Sequence, residues 1–146
     1  MVTSKPQNKV ADAQYIVGEF YSHGYGGIKV NNAEALKWYY KAAEQGVAEA
    51  QFILGLDYKR GEGGVKKDFA KGAEWYRKAA EQGHMYALYN LAVCYEYGEG
   101  VPKDKETAIK LYQKAQSKAI QRQKRMSSDW KAALGSAVAA GAALGG

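Results

Sequence analysis

The sequence predicts an all-α protein, a solenoid of three helix-turn-helix repeats followed by a C-terminal helix. Two observations predict this fold. Segments with helical apolar spacing recur at a fixed interval, and the two prolines of the 146-residue chain, Pro6 and Pro102, interrupt none of them. A single repeat cannot bury both of its apolar faces, whereas three in a row form a continuous core.

Each repeat consists of two blocks joined by a glycine-rich loop. The first block reads DAQYIVGEFY at residues 12–21, EAQFILGLDY at 49–58 and YALYNLAVCY at 86–95. The second block reads ALKWYYKAAEQG at 35–46, GAEWYRKAAEQG at 72–83 and AIKLYQKAQSKA at 108–119. Counted on Ala13, Ala50 and Ala87, the period is 37 residues. We name the helix predicted for the first block the A helix and that for the second block the B helix.

The A helices have an apolar stripe and a conspicuous glycine. Ala50, Leu54 and Tyr58 are spaced by four residues, and this stripe is expected to face a neighbouring helix. Gly18 and Gly55 lie mid-helix, where glycine costs roughly 1 kcal/mol relative to alanine. A missing side chain allows a ring to approach the backbone, and the rings of Trp38 and Trp75 are the expected neighbours.

The B helices have predicted starts and stops. Residues suited to accept hydrogen bonds from free backbone N–H groups precede them at Asn31, Asp68 and Asp104. Glu34 is expected to complete a capping box with Asn31. Gly46 and Gly83 are expected to end two of these helices in the left-handed conformation.

The organisation of the chain follows from these blocks. We expect a flexible N-terminus at 1–10, repeats at 11–46, 47–83 and 84–126, and an Ala/Gly-rich capping helix or tail at 127–146. The third B helix lacks the closing glycine and is expected to run on toward Met126. Trp130, Leu134 and Val138 share one helical face, for which docking on the third repeat as a cap is the preferred interpretation. A self-associating tail or a membrane contact are the alternatives, although the uncharged run is shorter than the roughly 20 residues of a membrane span.

The repeats resemble the Sel-one-like repeat (SLR) family, a branch of the tetratricopeptide-type helical repeats. The matching positions in the second repeat are Ala50, Leu54, Gly55, Tyr58, Gly61, Gly63, Val65, Asp68, Trp75, Tyr76 and the sequence KAAEQG at 78–83. The third copy departs from the pattern at Ala92 and Leu111. The resemblance implies a right-handed superhelix of helix pairs that acts as an adaptor or scaffold, as in bacterial and eukaryotic assemblies.

The resemblance also implies a binding groove, because the A helices of related repeats line the concave surface. Mapped onto this chain, its residues are Tyr15, Glu19, His23, Phe52, Leu56, Lys59, Arg60, Tyr86, Tyr89, Val93, Glu96 and Tyr97, together with Asp12 and Glu49. Tyr15, Phe52 and Tyr89 lie one period apart and are expected to stack as a ladder of rings that anchors a peptide or partner protein. The alternative is that some of these rings pack between neighbouring A helices.

No pattern in the sequence indicates catalysis. His23 and His84 lie at helix ends without cysteine or carboxylate at metal-ligand spacing, so no metal site is expected. The glycine loops lack the phosphate-binding G-x-x-x-x-G-K-[ST] pattern, and Cys94 is interpreted as a small buried hydrophobe. We therefore expect a non-enzyme without a cofactor or small-molecule substrate.

The charge is concentrated toward the C-terminus. The net charge is +6, and residues 99–131 hold nine Lys/Arg against four Asp/Glu, whereas residues 1–98 are nearly balanced. The segment KAIQRQKRMSSDWK at 118–131 predicts, as the alternative function, contact with nucleic acid or an anionic membrane; a solvated helix face is the preferred interpretation. Without an apolar N-terminal run the expected location is cytoplasmic, or periplasmic if a leader was removed.

Overall fold

The three predicted helix pairs occur in the predicted order, but the predicted C-terminal helix is continuous with the last B helix. The computed structural model describes the backbone of residues 8–144 and the side chains of residues 8–141. Its helices are α1 (Lys9–His23), α2 (Asn32–Glu44), α3 (Ala48–Arg60), α4 (Phe69–Glu81), α5 (Met85–Tyr97) and α6 (Lys105–Leu144), with a 3-10 turn at Tyr25–Gly27. Since residues 8–144 contain no strand, the all-α prediction is confirmed for this part of the chain.

The helices pack as a linear series of pairs. The most extensive contacts join α1 to α2, α3 to α4 and α5 to α6, and each pair packs on the next through α2 on α3 and α4 on α5. The first, third and fifth helices are therefore the A helices, and the second, fourth and sixth are the B helices. Each repeat contacts mainly its sequence neighbours, as in other solenoids.

Two apolar clusters fill the junctions between repeats. In the first, Ala42 and Ala43 of α2 lie with Ala50 and Leu54 of α3. In the second, Ala73, Tyr76, Ala79 and Ala80 of α4 lie with Ala87, Leu88, Leu91 and Cys94 of α5. Ala42, Ala50 and Leu54 have no exposed surface. The small alanine side chains bring the helices of adjacent repeats close together. The apolar stripe of an A helix is therefore buried by the B helix that precedes it.

The rings that cover the A-helix glycines are tyrosines, and the prediction of Trp38 and Trp75 was wrong. A Cβ added at Gly18 would lie 2.8 Å from the Tyr39 ring, and one at Gly55 would lie 2.5 Å from the Tyr76 ring. The tryptophans precede these tyrosines by one residue and therefore point about 100° away around the B helix. There the ammonium of Lys78 lies 4.3 Å from the Trp75 ring centroid.

The predicted caps form, with one difference. The side chains of Asn31, Asp68 and Asp104 accept from the backbone N–H groups three residues later. The reciprocal half of the Asn31 capping box is replaced, because the Asn31 N–H donates to the Tyr21 carbonyl and the Glu34 carboxylate pairs with Lys37.

The N-terminal prediction is corrected in part. Asn8 accepts from the N–H of Ala11 and begins α1, so residues 9 and 10 are helical. Residues 1–7 of the predicted flexible segment lie outside the described residues.

The C-terminal segment does not dock on the third repeat. α6 runs without a break through residue 126, where a boundary was expected, and Trp130, Leu134 and Val138 are 66%, 48% and 62% exposed. The physical reason is that Ala119 occupies the position at which Gly46 and Gly83 end the other two B helices, so α6 continues past it. Residues 145 and 146 of the predicted tail lie outside the described residues.

Candidate partner-binding groove

The predicted groove residues lie on the three A helices, but their exposure differs. The exposed ones are His23, Arg60, Tyr86, Tyr89 and Tyr97. The partly buried ones are Tyr15, Glu19, Phe52, Leu56, Lys59, Val93 and Glu96. The surface available to a partner is thus concentrated on α5.

The expected ladder of stacked rings does not form. Each ring packs on a tyrosine of its own B helix: Tyr15 on Tyr39 with centroids 6.0 Å apart, Phe52 on Tyr76 at 5.9 Å and Tyr89 on Tyr112 at 5.4 Å. Among the side chains described, no ring contact joins Tyr15, Phe52 and Tyr89 to one another. These three rings therefore close the helix pairs and do not form a ladder along the solenoid.

Phe52 is also covered by the next repeat. Its ring stacks on His84 at a centroid distance of 4.8 Å and on Tyr86 at 6.1 Å. The alternative reading, in which a ring packs between neighbouring A helices, is therefore correct for Phe52. Truncating this side chain would disturb folding as well as any binding.

α5 carries an apolar stripe that includes three exposed tyrosines. Tyr86, Tyr89, Val93 and Tyr97 follow one another at helical spacing, and the three tyrosines are 52%, 54% and 65% exposed. The equivalent residues of α3 are Glu49, Phe52, Leu56 and Arg60, and those of α1 are Asp12, Tyr15, Glu19 and His23. The third repeat therefore presents the most aromatic part of the A-helix surface, with hydroxyl groups suited to hydrogen bonding.

Polar contacts border this surface. The Tyr39 hydroxyl donates to Glu19 at 2.6 Å, and the Tyr112 hydroxyl donates to Glu96. Burial and these carboxylates raise the pKa of both phenols above the ordinary value, so they remain neutral donors. In the second repeat the position of Glu19 is taken by Leu56, and the buried Tyr76 hydroxyl has no hydrogen-bond partner in the structure.

His84 is a structural residue at the edge of the groove. Its Nδ1 accepts from the N–H of Ala87 at 3.1 Å and caps α5, which leaves the ring proton on Nε2. Nε2 lies 2.9 Å from Glu49 Oε1 and donates to it. His84 therefore joins the second and third repeats. The described residues contain no group of three or more potential metal ligands.

Sequence reasoning missed a second apolar surface. A groove of about 640 Å³ lies between α5 and α6. Its lining residues are Met85, Tyr86, Tyr89, Ile109, Tyr112, Gln113, Ala115, Gln116 and Ala119. We refer to it as the α5–α6 groove. The repeat alignment could have predicted this groove. Its residues Ile109, Tyr112 and Gln116 correspond to Ala73, Tyr76 and Ala80, which are buried in the second repeat.

The basic part of α6 projects beyond α5. From residue 116 to residue 141 every side chain is exposed, including Arg122, Lys124 and Arg125. Within residues 8–144 no helix is long and apolar enough to cross a membrane.

The helix pairs, their packing and the repeated glycine–tyrosine contact define an α-solenoid repeat protein. The Sel1 repeat pattern matches residues 11–47, 48–84 and 86–115, and the chain belongs to this family. A search of curated proteins finds no match.

Several solved structures share the fold. The chain is 39% identical, at a TM-score of 0.69, to c5321, a protective antigen of uropathogenic Escherichia coli strains with an SLR fold. It is 40% identical, at 0.70, to a Sel1 repeat protein from Oxalobacter formigenes. Cysteine rich protein B of Helicobacter pylori is 25% identical at 0.62.

The lengths of these proteins differ from that of the chain. The alignments cover 73%, 74% and 75% of this chain, but 22%, 44% and 84% of the respective neighbours. The first two are therefore considerably longer proteins.

Proposed function

We propose that this chain is a non-catalytic adaptor that binds a peptide or a partner protein on its A-helix surface, with α5 as the principal contact. Sel1 repeat proteins are generally protein–protein interaction scaffolds, which supports the general class of function. The observation that carries the specific proposal is the exposed stripe of Tyr86, Tyr89 and Tyr97. Tyrosines dominate many interfaces because they bury a large area and lose little conformational entropy.

Charged groups would orient the partner. Arg60 is exposed on α3, and Lys59 lies 4.0 Å from Glu99, in the loop after α5. A central aromatic stripe with charges at its edge is the usual arrangement of an interface, in which the apolar centre supplies most of the affinity. The partner proposed is accordingly a segment with apolar or aromatic anchors.

The test begins with affinity capture and mass spectrometry, followed by isothermal titration of the captured partner. Tyr97→Ala and Tyr86→Ala should each weaken binding by about 1 to 3 kcal/mol, the usual cost of removing an aromatic anchor. Phe69→Ala is the matched control, because Phe69 is 38% exposed on a B helix. Full affinity in both tyrosine variants would mean that the partner binds elsewhere.

The exposed basic part of α6 favours one alternative, contact with nucleic acid or an anionic membrane. Lys124→Glu combined with Arg125→Glu should abolish such binding and leave an aromatic contact nearly unchanged. Binding to phosphates also weakens steeply with salt, whereas an apolar contact does not. Titrations of the same partner at low and high salt therefore separate the two functions.

A further inference from the structure

The α5–α6 groove lies where the earlier junctions receive an A helix. Its α6 residues correspond to α4 residues that are buried against α5: Ile109 to Ala73, Tyr112 to Tyr76, Ala115 to Ala79 and Gln116 to Ala80. Ile109 is 56% exposed, whereas Ala73 is 1% exposed. The B-helix face of the third repeat is therefore exposed, whereas the corresponding faces of the first two repeats are covered by the next A helix.

α1 has the same apolar face that α3 and α5 pack against the preceding B helix. Its residues Val10, Ala13, Val17 and Phe20 correspond to Val47, Ala50, Leu54 and Asp57 of the second repeat, and to His84, Ala87, Leu91 and Cys94 of the third. Ala50 and Ala87 have no exposed surface because a preceding B helix covers them. Ala13 is exposed, and Val10 and Phe20 are 64% and 37% exposed.

One polar contact recurs at both internal junctions. The hydroxyl of Tyr40 bonds that of Tyr58, and Arg77 Nη2 donates to the Tyr95 hydroxyl at 3.2 Å. The next pair in this series is Gln113 on α6 and Tyr21 on α1. An amide and a phenol can form the same contact, so the two uncovered faces also match in their polar groups.

The described chain does not fill its own groove. Gly46 and Gly83 have positive φ angles of 98° and 81° at the turns that lead into α3 and α5. The equivalent residue of the third repeat is Ala119, and α6 continues through it to Leu144. No further A helix is therefore turned back onto the groove within residues 8–144.

We propose that a second copy of this chain occupies the α5–α6 groove, with its α1 seated in the register of the internal junctions. The small residue at Ala13, the apolar residues along α1 and the hydroxyl of Tyr21 fit this occupant. The contact joins two different faces and is heterologous, so copies can add head to tail. It goes beyond the proposed partner binding, although the two surfaces share Tyr86 and Tyr89.

Sedimentation velocity and light scattering of the full chain, over a roughly hundredfold concentration range, provide the test. The unmodified chain should form dimers and longer oligomers as concentration rises. Ala13→Arg blocks the α1 face and Ile109→Arg blocks the groove; both positions are exposed, so each variant should fold but remain monomeric. Ala33→Arg should associate like the unmodified chain, because Ala33 is exposed on α2, which forms neither of the two faces.

Mixing the two blocked variants is the decisive step. Each retains the face that the other lacks, so an equimolar mixture should form a 1:1 dimer and nothing larger. An unmodified chain that stays monomeric throughout would overturn the proposal. So would association that survives Ala13→Arg but is lost in Trp130→Glu, because it would assign the contact to the exposed end of α6. These outcomes are independent of partner titrations with Tyr97→Ala, since Tyr97 does not line the groove.

Discussion

At Gly55 the two helices of the second repeat approach closely. A Cβ at this position would lie 2.5 Å from ring carbons of Tyr76 and 3.2 Å from the carbonyl oxygen of Gly72. The Tyr76 side chain is fully buried in a close-packed core, so moving its ring would displace its neighbours as well. The absence of a side chain at residue 55 is therefore a packing requirement.

Gly55→Leu should destabilise the fold by about 1 to 3 kcal/mol or more, because the added side chain overpacks a buried contact. Thermal and urea unfolding followed by circular dichroism measure the effect. Gly135→Leu is the matched control, since nothing lies within 4 Å of a Cβ at Gly135. Equal unfolding midpoints for the two variants would contradict the packing argument.

Asp57 is a carboxylate at a partly buried position on α3. Burial raises its pKa to about 6, the Glu62 carboxylate adds to the rise, and Arg60 opposes it. Because the folded chain binds this proton more tightly than the unfolded chain, the contribution of Asp57 to stability is greatest below about pH 4. It declines as the pH rises through about 6.

Asp57→Asn removes this titration and should therefore raise the free energy of unfolding above about pH 6. Near pH 4 the variant and the unmodified chain should be equally stable. Urea unfolding at a series of pH values measures the difference. A constant difference across this range would show that Asp57 titrates alike in the folded and unfolded chains.

At the scale of the element, α6 has two different parts. Its first part packs on α5 and includes the buried Ala108 and Ala115, whereas the side chains from residue 116 to residue 141 are exposed. Helices gain most of their stability from an apolar face packed on a neighbour. The second part of α6 therefore adds little to the stability of the repeats.

Removal of residues 127–146 should change the free energy of unfolding of the repeats by less than about 0.5 kcal/mol, as expected for exposed positions. Unfolding followed through the near-ultraviolet signal of the packed tyrosines measures this value. A clear loss of stability would support the docked cap that was expected from the sequence. The truncated chain should also remain able to stack head to tail, because Ala13 and Ile109 are retained.

On the scale of the whole molecule, repeats interact through nearest neighbours, so the two ends of the solenoid differ from its middle. The central repeat has a covered face on both sides. Within residues 8–144 the first and third repeats each have one uncovered face, and these two faces match in register. This property of the whole stack underlies the proposal of head-to-tail association, since no single helix shows it.

The period, the caps and the glycine positions could be predicted from the sequence alone, because they depend on local spacing and backbone conformation. Asn31, Asp68 and Asp104 cap their helices as expected, and the family pattern identifies the repeats. Local rules were sufficient for the helix order and for the pairing of neighbours. The same rules predicted that the third B helix would run on.

Tertiary structure alone decided which ring covers each glycine and which A-helix rings are exposed. Tyr76 and Trp75 are adjacent in the sequence, and the rotation of α4 against α3 brings the tyrosine to Gly55. Phe52 and Tyr89 are equivalent by sequence, yet among the helices described a following A helix covers Phe52 and none covers Tyr89. Trp130 is exposed for a similar reason, because α6 continues as one helix and does not turn back onto the third repeat. Burial depends on which neighbour packs against a helix face. A repeat pattern specifies this neighbour inside the solenoid but not at its first and last repeats.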